Sequence, residues 1–270
     1  MGMGKTRVRT TKRIQQGWID NFEEKLENCE YESFYRTQDI TSSGFKARFP
    51  CTRIAGKVYH LLSQNETNTL IKLLHDPLVV DIKEQYPVTD LAKSKAFAEA
   101  LKIKHPRHTW SATDSVITFD FLCEMTSGRK KVISVKPKIF LKDRRTQEKL
   151  SLEQALAETM GYEFDIATEE DKNSEEVKNL FRVLRGATLP VGLVDIYQSW
   201  KQCFAIFLKQ DIHQQLRVLI QRVSEHLDIS FNESFWLMQH GFWIRDLVSD
   251  YTRPLLPEHS AYLLELQVNA

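Results

Sequence analysis

Asp120 and Lys136 are the residues of this sequence whose types and spacing are most typical of a chemical site. They lie in two short apolar segments joined by the polar turn Thr126–Arg129, a pattern that predicts a β-hairpin. Side chains alternate along a strand, so Asp120 shares a face with Leu122, and Lys136 shares a face with Val132. A carboxylate among apolar residues needs a cation beside it, because burying an unpaired charge is costly. The hairpin therefore predicts either an Asp–Lys ion pair or a metal site.

The same spacing resembles the core of restriction-endonuclease-like nucleases, in which an Asp is followed by (Glu/Gln)-x-Lys. Here the second part reads Ser134-Val135-Lys136, with serine at the position where that pattern has a longer oxygen ligand. Many β-hairpins carry an Asp and a Lys that only form an ion pair. On this motif alone, the ion pair is therefore the preferred interpretation.

Two glutamates lie in helical patterns that leave two interpretations open. Glu66 is the third residue after Ser63 at the start of an apolar helical pattern, so the pair predicts a capping box. Glu153 falls on the apolar side of the predicted helix Leu141–Met160, where a solvated glutamate is not expected. The simpler interpretation of Glu153 is an i,i+4 pair with Lys149 on a half-exposed flank.

The order of predicted elements divides the chain into two domains. Residues 1–167 read as helix, strand, hairpin, helix and strand, which predicts a mixed α/β domain with a basic N-terminal arm over residues 1–17. The polar, acidic stretch 168–174 predicts a linker. Residues 175–270 carry helical patterns and are predicted to form a mostly α-helical domain.

The predicted C-terminal domain fits a winged-helix-like module. Its first helix is expected to be closed by Gly186. A later helix, Asn232–His240, is expected to be broken by Gly241, and the strand Ala261–Val268 would close the module. Because few Arg and Lys residues lie near the expected recognition helix, protein docking is favoured over DNA reading.

Composition limits the class of protein. Hydrophobic residues make up 42% of the sequence and charged residues 27%, which is typical of a folded globular protein and not of a disordered one. No apolar run approaches the ~18 residues that a membrane span needs, and no signal-peptide core follows Met1, so we expect a cytoplasmic protein without membrane contact. The four cysteines are scattered, which predicts reduced thiols and not a zinc site.

The net charge of +1 excludes a histone-like polycation, but the basic residues are clustered. Such clusters suit contacts with nucleic-acid phosphates, which depend on charge and not on base sequence. Basic tails and solvated turns are also common in proteins that never bind nucleic acid. The candidate phosphate contacts are Arg9, Lys12, Arg13, Arg129, Lys130, Lys131 and Lys138.

Several local strings together make the nuclease motif more specific. By their order and spacing the chain is identified as a member of the TnsA family, the endonuclease subunits of heteromeric cut-and-paste transposases. The likeness covers residues 10–167 well, and residues 170–270 match mainly in length and helix content. The strings are His60-Leu61-Leu62-Ser63 with Glu66, Asp81-Ile82-Lys83-Glu84-Gln85-Tyr86-Pro87, Ile103-Lys104-His105-Pro106, Phe119-Asp120-Phe121-Leu122, Val135-Lys136-Pro137 and Glu148-Lys149-Leu150.

The resemblance implies a restriction-endonuclease-like fold for residues 1–167. It places Glu66, Asp120 and Lys136 at the family's catalytic positions, and Glu153 at a family glutamate associated with activity. It further implies one or two Mg²⁺ ions, with Mn²⁺ as a substitute, held by Glu66 and Asp120, since Mg²⁺ prefers hard oxygen ligands. Lys136 would orient or deprotonate the attacking water and offset phosphate charge.

One position departs from the family pattern. Ser134 replaces the family's glutamine, and its hydroxyl is a shorter, neutral ligand. The backbone carbonyl of Val135 or a water is therefore expected to complete the metal shell. This departure leaves the number of metal ions open.

The resemblance also implies a division of labour on double-stranded DNA at transposon ends. This subunit would cut the 5′ strands, and a TnsB-like DDE transposase would recognise the ends and join the 3′ strands. A TnsC-like AAA+ ATPase would dock on residues 175–270. Two alternatives stay open: a standalone restriction- or resolvase-like nuclease, and a catalytically weak docking subunit, which Ser134 makes plausible.

Overall fold

The computed structural model describes residues 10–39, 44–52, 57–108, 111, 113–169 and 175–269. The described residues form two compact units. The first unit contains the described residues up to 51 together with 57–69 and 77–169; the second contains 52, 70–76 and 175–269. Within these ranges, every helix is too short or too polar to cross a membrane. Arg9 and most of the predicted linker lie outside the described residues.

A mixed sheet forms the centre of the first unit. In the described part of the chain its strand order is β3-β4-β5-β6, with antiparallel pairing between β3, β4 and β5 and parallel pairing between β5 and β6. The mixed α/β class predicted for this part of the chain is confirmed. The strands are β3 (Val79–Val88), β4 (Ile117–Met125), β5 (Lys130–Val135) and β6 (Glu163–Ala167).

The predicted hairpin is present as β4 and β5. Leu122 pairs with Val132, and Phe121 with Ile133. The turn between the strands contains Gly128 at φ 77°, a left-handed conformation that glycine adopts without steric cost. The register brings the start of β4 beside the end of β5, which are the parts of the hairpin that carry Asp120 and Lys136.

Helices and a smaller hairpin complete the first unit. The predicted helix after the hairpin begins at Arg144, because the side chain of Asp143 accepts a hydrogen bond from Thr146 N and caps it. The helix ends at Thr159, and Gly161 follows at φ 74°, as predicted. The elements are α1 (Lys12–Glu27), the hairpin β1 (Ala47–Pro50) and β2 (Val58–Leu61), residues 64–69 of α2 (Gln64–His75), α3 (Leu91–Ala100), a 3₁₀ turn (Lys138–Lys142) and α4 (Arg144–Thr159).

The second unit is mostly helical, around a core that includes Trp200, Phe204 and Phe242. Its short strands pair antiparallel, Leu247 with Val268. The elements are α5 (Glu175–Val183), a 3₁₀ turn (Leu184–Ala187), α6 (Val191–Val194), α7 (Tyr197–Gln210), α8 (Leu216–His226), α9 (Phe231–Trp243), β7 (Leu247–Val248) and β8 (Gln267–Val268).

Three expectations for the second unit were wrong. Helix α9 continues through Gly241, where a Cβ would lie 2.9 Å from Leu247 Cγ. Gly186 lies within a 3₁₀ turn packed against the backbone of Gln239, so it does not simply close a helix. Both glycines are explained by close packing against other elements and not by helix termination. The predicted strand Ala261–Val268 is reduced to its last residues, Gln267–Val268.

Candidate active site

Asp120 and Lys136 form the ion pair that the hairpin pattern predicts. Lys136 Nζ donates to Asp120 Oδ2 at 2.9 Å, and Val135 N donates to the same oxygen at 2.6 Å. Both side chains are half-buried. A charge-assisted pair of this kind fixes the carboxylate at the end of the hairpin.

Glu66 lies in the first turn of α2, where its carboxylate is buried and fully hydrogen-bonded. Oε2 accepts from Leu62 N at 2.8 Å, and Oε1 accepts from the Ser63 hydroxyl at 2.9 Å. Ser63 Oγ in turn accepts from Glu66 N at 3.1 Å. This differs from the predicted capping box, because Leu62, and not Ser63, supplies the backbone donor to the glutamate. The hydrogen bonds hold Glu66 at the start of its helix.

Glu66 shares an electrostatic environment with the ion pair. Burial and the negative charge of Asp120 raise the pKa of Glu66 to about 7, while the hydrogen bonds from Leu62 N and the Ser63 hydroxyl and the charge of Lys136 oppose the rise. The hairpin and α2 therefore bring Glu66, Asp120 and Lys136 into one charged cluster.

Glu153 reaches the same cluster from α4. Burial raises its pKa, the charge of Lys136 lowers it, and the charge of Asp120 raises it. Glu153 Oε2 and the hydroxyl of the fully buried Ser134 are both out of solvent, and an interaction of the Ser134 hydroxyl with the Glu153 carboxylate lowers the pKa of Glu153. The surface pairing with Lys149 that was the simpler interpretation does not account for this buried oxygen.

Lys136 is held in its charged form. Burial lowers its pKa, but the charges of Asp120 and Glu153 raise it more, so the pKa lies above its ordinary value. Lys136 is therefore an ammonium group at neutral pH.

Gln85 is a member of the cluster that sequence reasoning missed. It is buried, and its Nε2 donates to Glu66 Oε2 at 3.3 Å while its Oε1 accepts from Thr118 Oγ1 at 3.2 Å. Its φ of 51° is unusual for a residue other than glycine, and such strain often marks functional sites. Gln85 thereby links the glutamate on α2 to the strand that carries Asp120. Its amide character gave no signal in the sequence.

Three of the candidate phosphate contacts have local partners on the hairpin and β6 side of the sheet. Arg129 Nη1 lies 2.8 Å from Glu163 Oε1, and Lys131 Nζ lies 2.9 Å from Asp165 Oδ2. Five residues of extended strand separate Lys131 from Lys136, about 16 Å. Lys130 lies over the Tyr162 ring. The other described candidates, Lys12 and Arg13 at the start of α1 and Lys138 just after Lys136, are exposed.

Comparison with known proteins identifies the part of the chain that carries the cluster. Residues 76–169 match the family model described as TnsA-like endonuclease N terminal. This segment is similar to the endonuclease domain of TnsA proteins and is called the TnsA-like domain. It contains Asp120, Ser134, Lys136 and Glu153, and Glu66 lies N-terminal to it. The family resemblance drawn from local sequence strings is therefore confirmed.

The similarity of the TnsA-like domain extends to a relative with a known role in transposition. The chain is 31% identical over 153 residues to the transposon Tn7 transposition protein TnsA of Escherichia coli. The aligned region covers 56% of this chain and 55% of that protein. The comparison thus spans about half the length of the relative.

The oxygen donors of the charged cluster suit a hard divalent cation. Glu66 and Asp120 offer carboxylate oxygens, which Mg²⁺ prefers, and a cation would relieve the repulsion that contributes to the raised pKa of Glu66. Among the described residues, no group of three or more His, Cys, Asp and Glu side chains is arranged to hold a metal ion. Water would supply the remaining ligands, as is usual for Mg²⁺.

Glu66 makes the stability of the metal-free protein depend on pH. The folded protein keeps this proton up to a pH of about 7, whereas an ordinary glutamate loses it near 4.5, so the unfolded state binds fewer protons between these values. We expect the stabilisation to be complete below pH 4.5 and to be lost as the pH rises through 7, by about 3 kcal/mol at most. Urea unfolding at intervals from pH 4.5 to 8 measures this slope.

Three variants show which carboxylates make the free energy of unfolding depend on pH. Glu66→Gln should reduce the slope of this free energy against pH. Glu84→Gln should flatten it independently, because burial raises the pKa of Glu84 to about 7 as well. Glu158→Gln, at an exposed position of α4, should keep the wild-type slope. An unchanged slope in Glu66→Gln would contradict the buried, raised-pKa carboxylate.

Proposed function

We propose that this chain is a metal-dependent DNA endonuclease subunit of a heteromeric cut-and-paste transposase. The observation that carries the proposal is one charged cluster formed by Glu66, Asp120 and Lys136. Asp120 and Lys136 lie inside the segment that matches the TnsA-like endonuclease model, and Glu66 lies ten residues before it. The proposed reaction is hydrolysis of the 5′ strands at transposon ends. The similarity to the Tn7 transposition protein TnsA supports the transposition context.

Glu66 and Asp120 are the residues proposed to hold the ion, Mg²⁺ with Mn²⁺ as a substitute. When bound there, such an ion polarises the scissile phosphate and lowers the pKa of a bound water. Glu66 would have to give up its proton, which its pKa of about 7 permits at neutral pH. Gln85, which donates to Glu66, would keep that carboxylate oriented.

The family resemblance allows Lys136 either to orient the attacking water or to deprotonate it, and we propose only the first of these roles. Because Asp120 and Glu153 favour its protonated form, the ammonium group is suited to offset charge on the phosphate and to orient a water by donating a hydrogen bond. It is not suited to take a proton from that water. Glu153 is proposed to position Lys136 by charge.

The serine at position 134, where the family has glutamine, affects which groups can hold the metal ion. The Ser134 hydroxyl lies in the buried interior, where it interacts with the Glu153 carboxylate. The Val135 carbonyl is proposed as the ligand that replaces the family's glutamine. The simplest arrangement is one ion held by the Glu66 and Asp120 carboxylates and the Val135 carbonyl. A second ion would need further ligands from water.

The partners proposed for this chain follow from the family. A TnsB-like DDE transposase would process the 3′ strands, and a TnsC-like AAA+ ATPase would dock on the helical second unit, which we propose to be winged-helix-like. The short pair β7 and β8 after α9 supports that comparison. The candidate phosphate contacts near the sheet and on α1 would hold the flanking duplex.

Strand-specific mapping of the cuts tests the proposal. A duplex that spans the end of the encoding transposon and its flanking host DNA is labelled on either strand and incubated with this chain, Mg²⁺ and the DDE transposase. We expect 5′-strand cuts only when all three are present.

The other possible results separate the alternatives. Cleavage by the chain and Mg²⁺ alone would identify a standalone nuclease. Full 5′-strand cleavage without this chain, with 3′-strand joining dependent on it, would identify a docking subunit. Either result would overturn the proposal.

A further inference from the structure

An exposed apolar turn follows the proposed catalytic lysine directly. In the 3₁₀ turn Lys138–Lys142, the side chains of Ile139 and Phe140 are 77% and 54% exposed. Two large apolar side chains at the tip of a turn cost solvation free energy unless a ligand covers them. The position is notable because Lys136 is only three residues before Ile139.

Backbone and side-chain hydrogen bonds hold the turn in place. Phe140 N donates to Pro137 O at 3.0 Å, and Asp143 N donates to Phe140 O at 3.0 Å. Gln147 Nε2, on α4, donates to Leu141 O at 3.0 Å. The turn is therefore anchored to the sheet end and to α4, and its two apolar side chains project from a fixed base.

The charge around the turn indicates the kind of partner. Residues 138–149 contain five basic and two acidic residues, an excess of three positive charges. Of these two acidic side chains, Asp143 caps α4, and Glu148 is shared by Arg144 and Arg145. A third carboxylate, that of Glu169, accepts a hydrogen bond from Lys138 N at 2.8 Å. Apolar side chains flanked by cations are the combination by which proteins wedge between base steps while holding the phosphates.

We propose that Ile139 and Phe140 form an apolar wedge that inserts against the bases of duplex DNA beside the cut. The inference rests on the proposed function, which places Lys136 at the scissile phosphate. Four residues span at most about 14 Å of backbone, the length of about four base pairs along one strand, so the turn lies close to that phosphate. The wedge partly unstacks the duplex there, which opens the strand for hydrolysis.

A fluorescent base tests the wedge. 2-Aminopurine, which brightens when it unstacks, is placed one to four base pairs from the cut in the transposon-end duplex, with Ca²⁺ in place of Mg²⁺ to slow cleavage. The full chain is added to the duplex already bound by the DDE transposase. We expect wild type to raise the fluorescence and Phe140→Ala to remove the rise. With Mg²⁺, Phe140→Ala should cut about 5-fold to 100-fold more slowly, the effect of losing one base-stacking side chain.

A control uses an apolar side chain that is even more exposed but distant in sequence. Val191 is 89% exposed at the start of α6, so Val191→Ala should behave as wild type in both assays. Because Phe140 is exposed, its truncation is expected to leave thermal unfolding unchanged.

Two results would overturn the wedge. In one, Phe140→Ala and wild type give the same fluorescence and cutting rates. In the other, the variant behaves as wild type on DNA but no longer binds the DDE transposase, which would make the turn a protein-docking surface. Asp120→Asn separates the wedge from the proposed function: it should keep the fluorescence rise and lose cutting. A fluorescence rise without any 5′-strand cutting by wild type would refute the proposed function and not the wedge.

Discussion

Asp120→Asn is expected to slow 5′-strand cleavage by about 1,000-fold or more. A bound metal ion supplies several kcal/mol of transition-state stabilisation, and each 1.36 kcal/mol is a factor of ten in rate. The substitution removes the charge that would hold the ion and that contributes to the raised pKa of Lys136. The amide keeps the shape of the side chain. Single-turnover cleavage in the assembled system, with all partners supplied, measures the effect.

A second aspartate of the same sheet serves as the control. Asp165 on β6 is exposed and pairs with Lys131 at 2.9 Å, so Asp165→Asn should leave the cleavage rate within about 2-fold of wild type, since exposed ion pairs contribute little. Asp165→Asn should unfold at a temperature close to wild type, and circular dichroism of Asp120→Asn checks that this variant is folded at the assay temperature. Cleavage by Asp120→Asn at the Asp165→Asn rate would show that the carboxylate has no part in the reaction.

Gly186→Ala is expected to destabilise the second unit by about 3 kcal/mol, the upper part of the range for overpacking. A Cβ at this position would lie 2.2 Å from the backbone carbon of Gln239 and 2.3 Å from its carbonyl oxygen. Neither atom belongs to a flexible side chain, so α9 or the 3₁₀ turn Leu184–Ala187 would have to shift. Chemical denaturation followed by tryptophan fluorescence measures the loss, because Trp200 lies in the core of this unit.

Gly192 provides the matched control in the same unit. A Cβ there would meet nothing within 4 Å, and the residue lies in helix α6. Gly192→Ala should therefore be neutral or stabilise the protein by up to about 1 kcal/mol, the helix preference of alanine over glycine. Equal stabilities for the two alanine variants would contradict the close approach of Gly186 to α9.

The sequence predicts those features of the fold that depend on local spacing. The hairpin followed from alternating apolar residues around a turn with glycine, and the same alternation put Asp120 and Lys136 on matching faces. Gly161 was recognised because a helix end with a left-handed residue favours glycine. Each of these features depends on residues that are close in the sequence, so it can be predicted without knowing the tertiary structure.

Other features depend on contacts between distant parts of the chain. Gly241 reads as a helix break in sequence, but it lies within α9, and its lack of a side chain leaves room for Leu247. Gln85 contacts Glu66 and Thr118, at separations of 19 and 33 residues. Neither role leaves a local periodic signal.

The shared cluster of Glu66 and Asp120 belongs to the same group of long-range features. In the sequence, helix capping alone is enough to explain Glu66, and its hydrogen bonds with Leu62 and Ser63 are those of a capping residue. Only the family resemblance suggested a second role. Burial and the charge of Asp120 raise the pKa of Glu66, and this shift depends on residues that are distant in the sequence.

Mn²⁺ binding, measured by isothermal titration calorimetry at pH 7.5, tests whether Glu66 and Asp120 hold a metal ion. We expect wild type to bind one or two Mn²⁺ ions and Glu66→Gln and Asp120→Asn to lose this binding. Lys136→Met should keep it, because removing the lysine also removes a competing cation. Binding by all four proteins with the same affinity would contradict the proposal that Glu66 and Asp120 hold the metal.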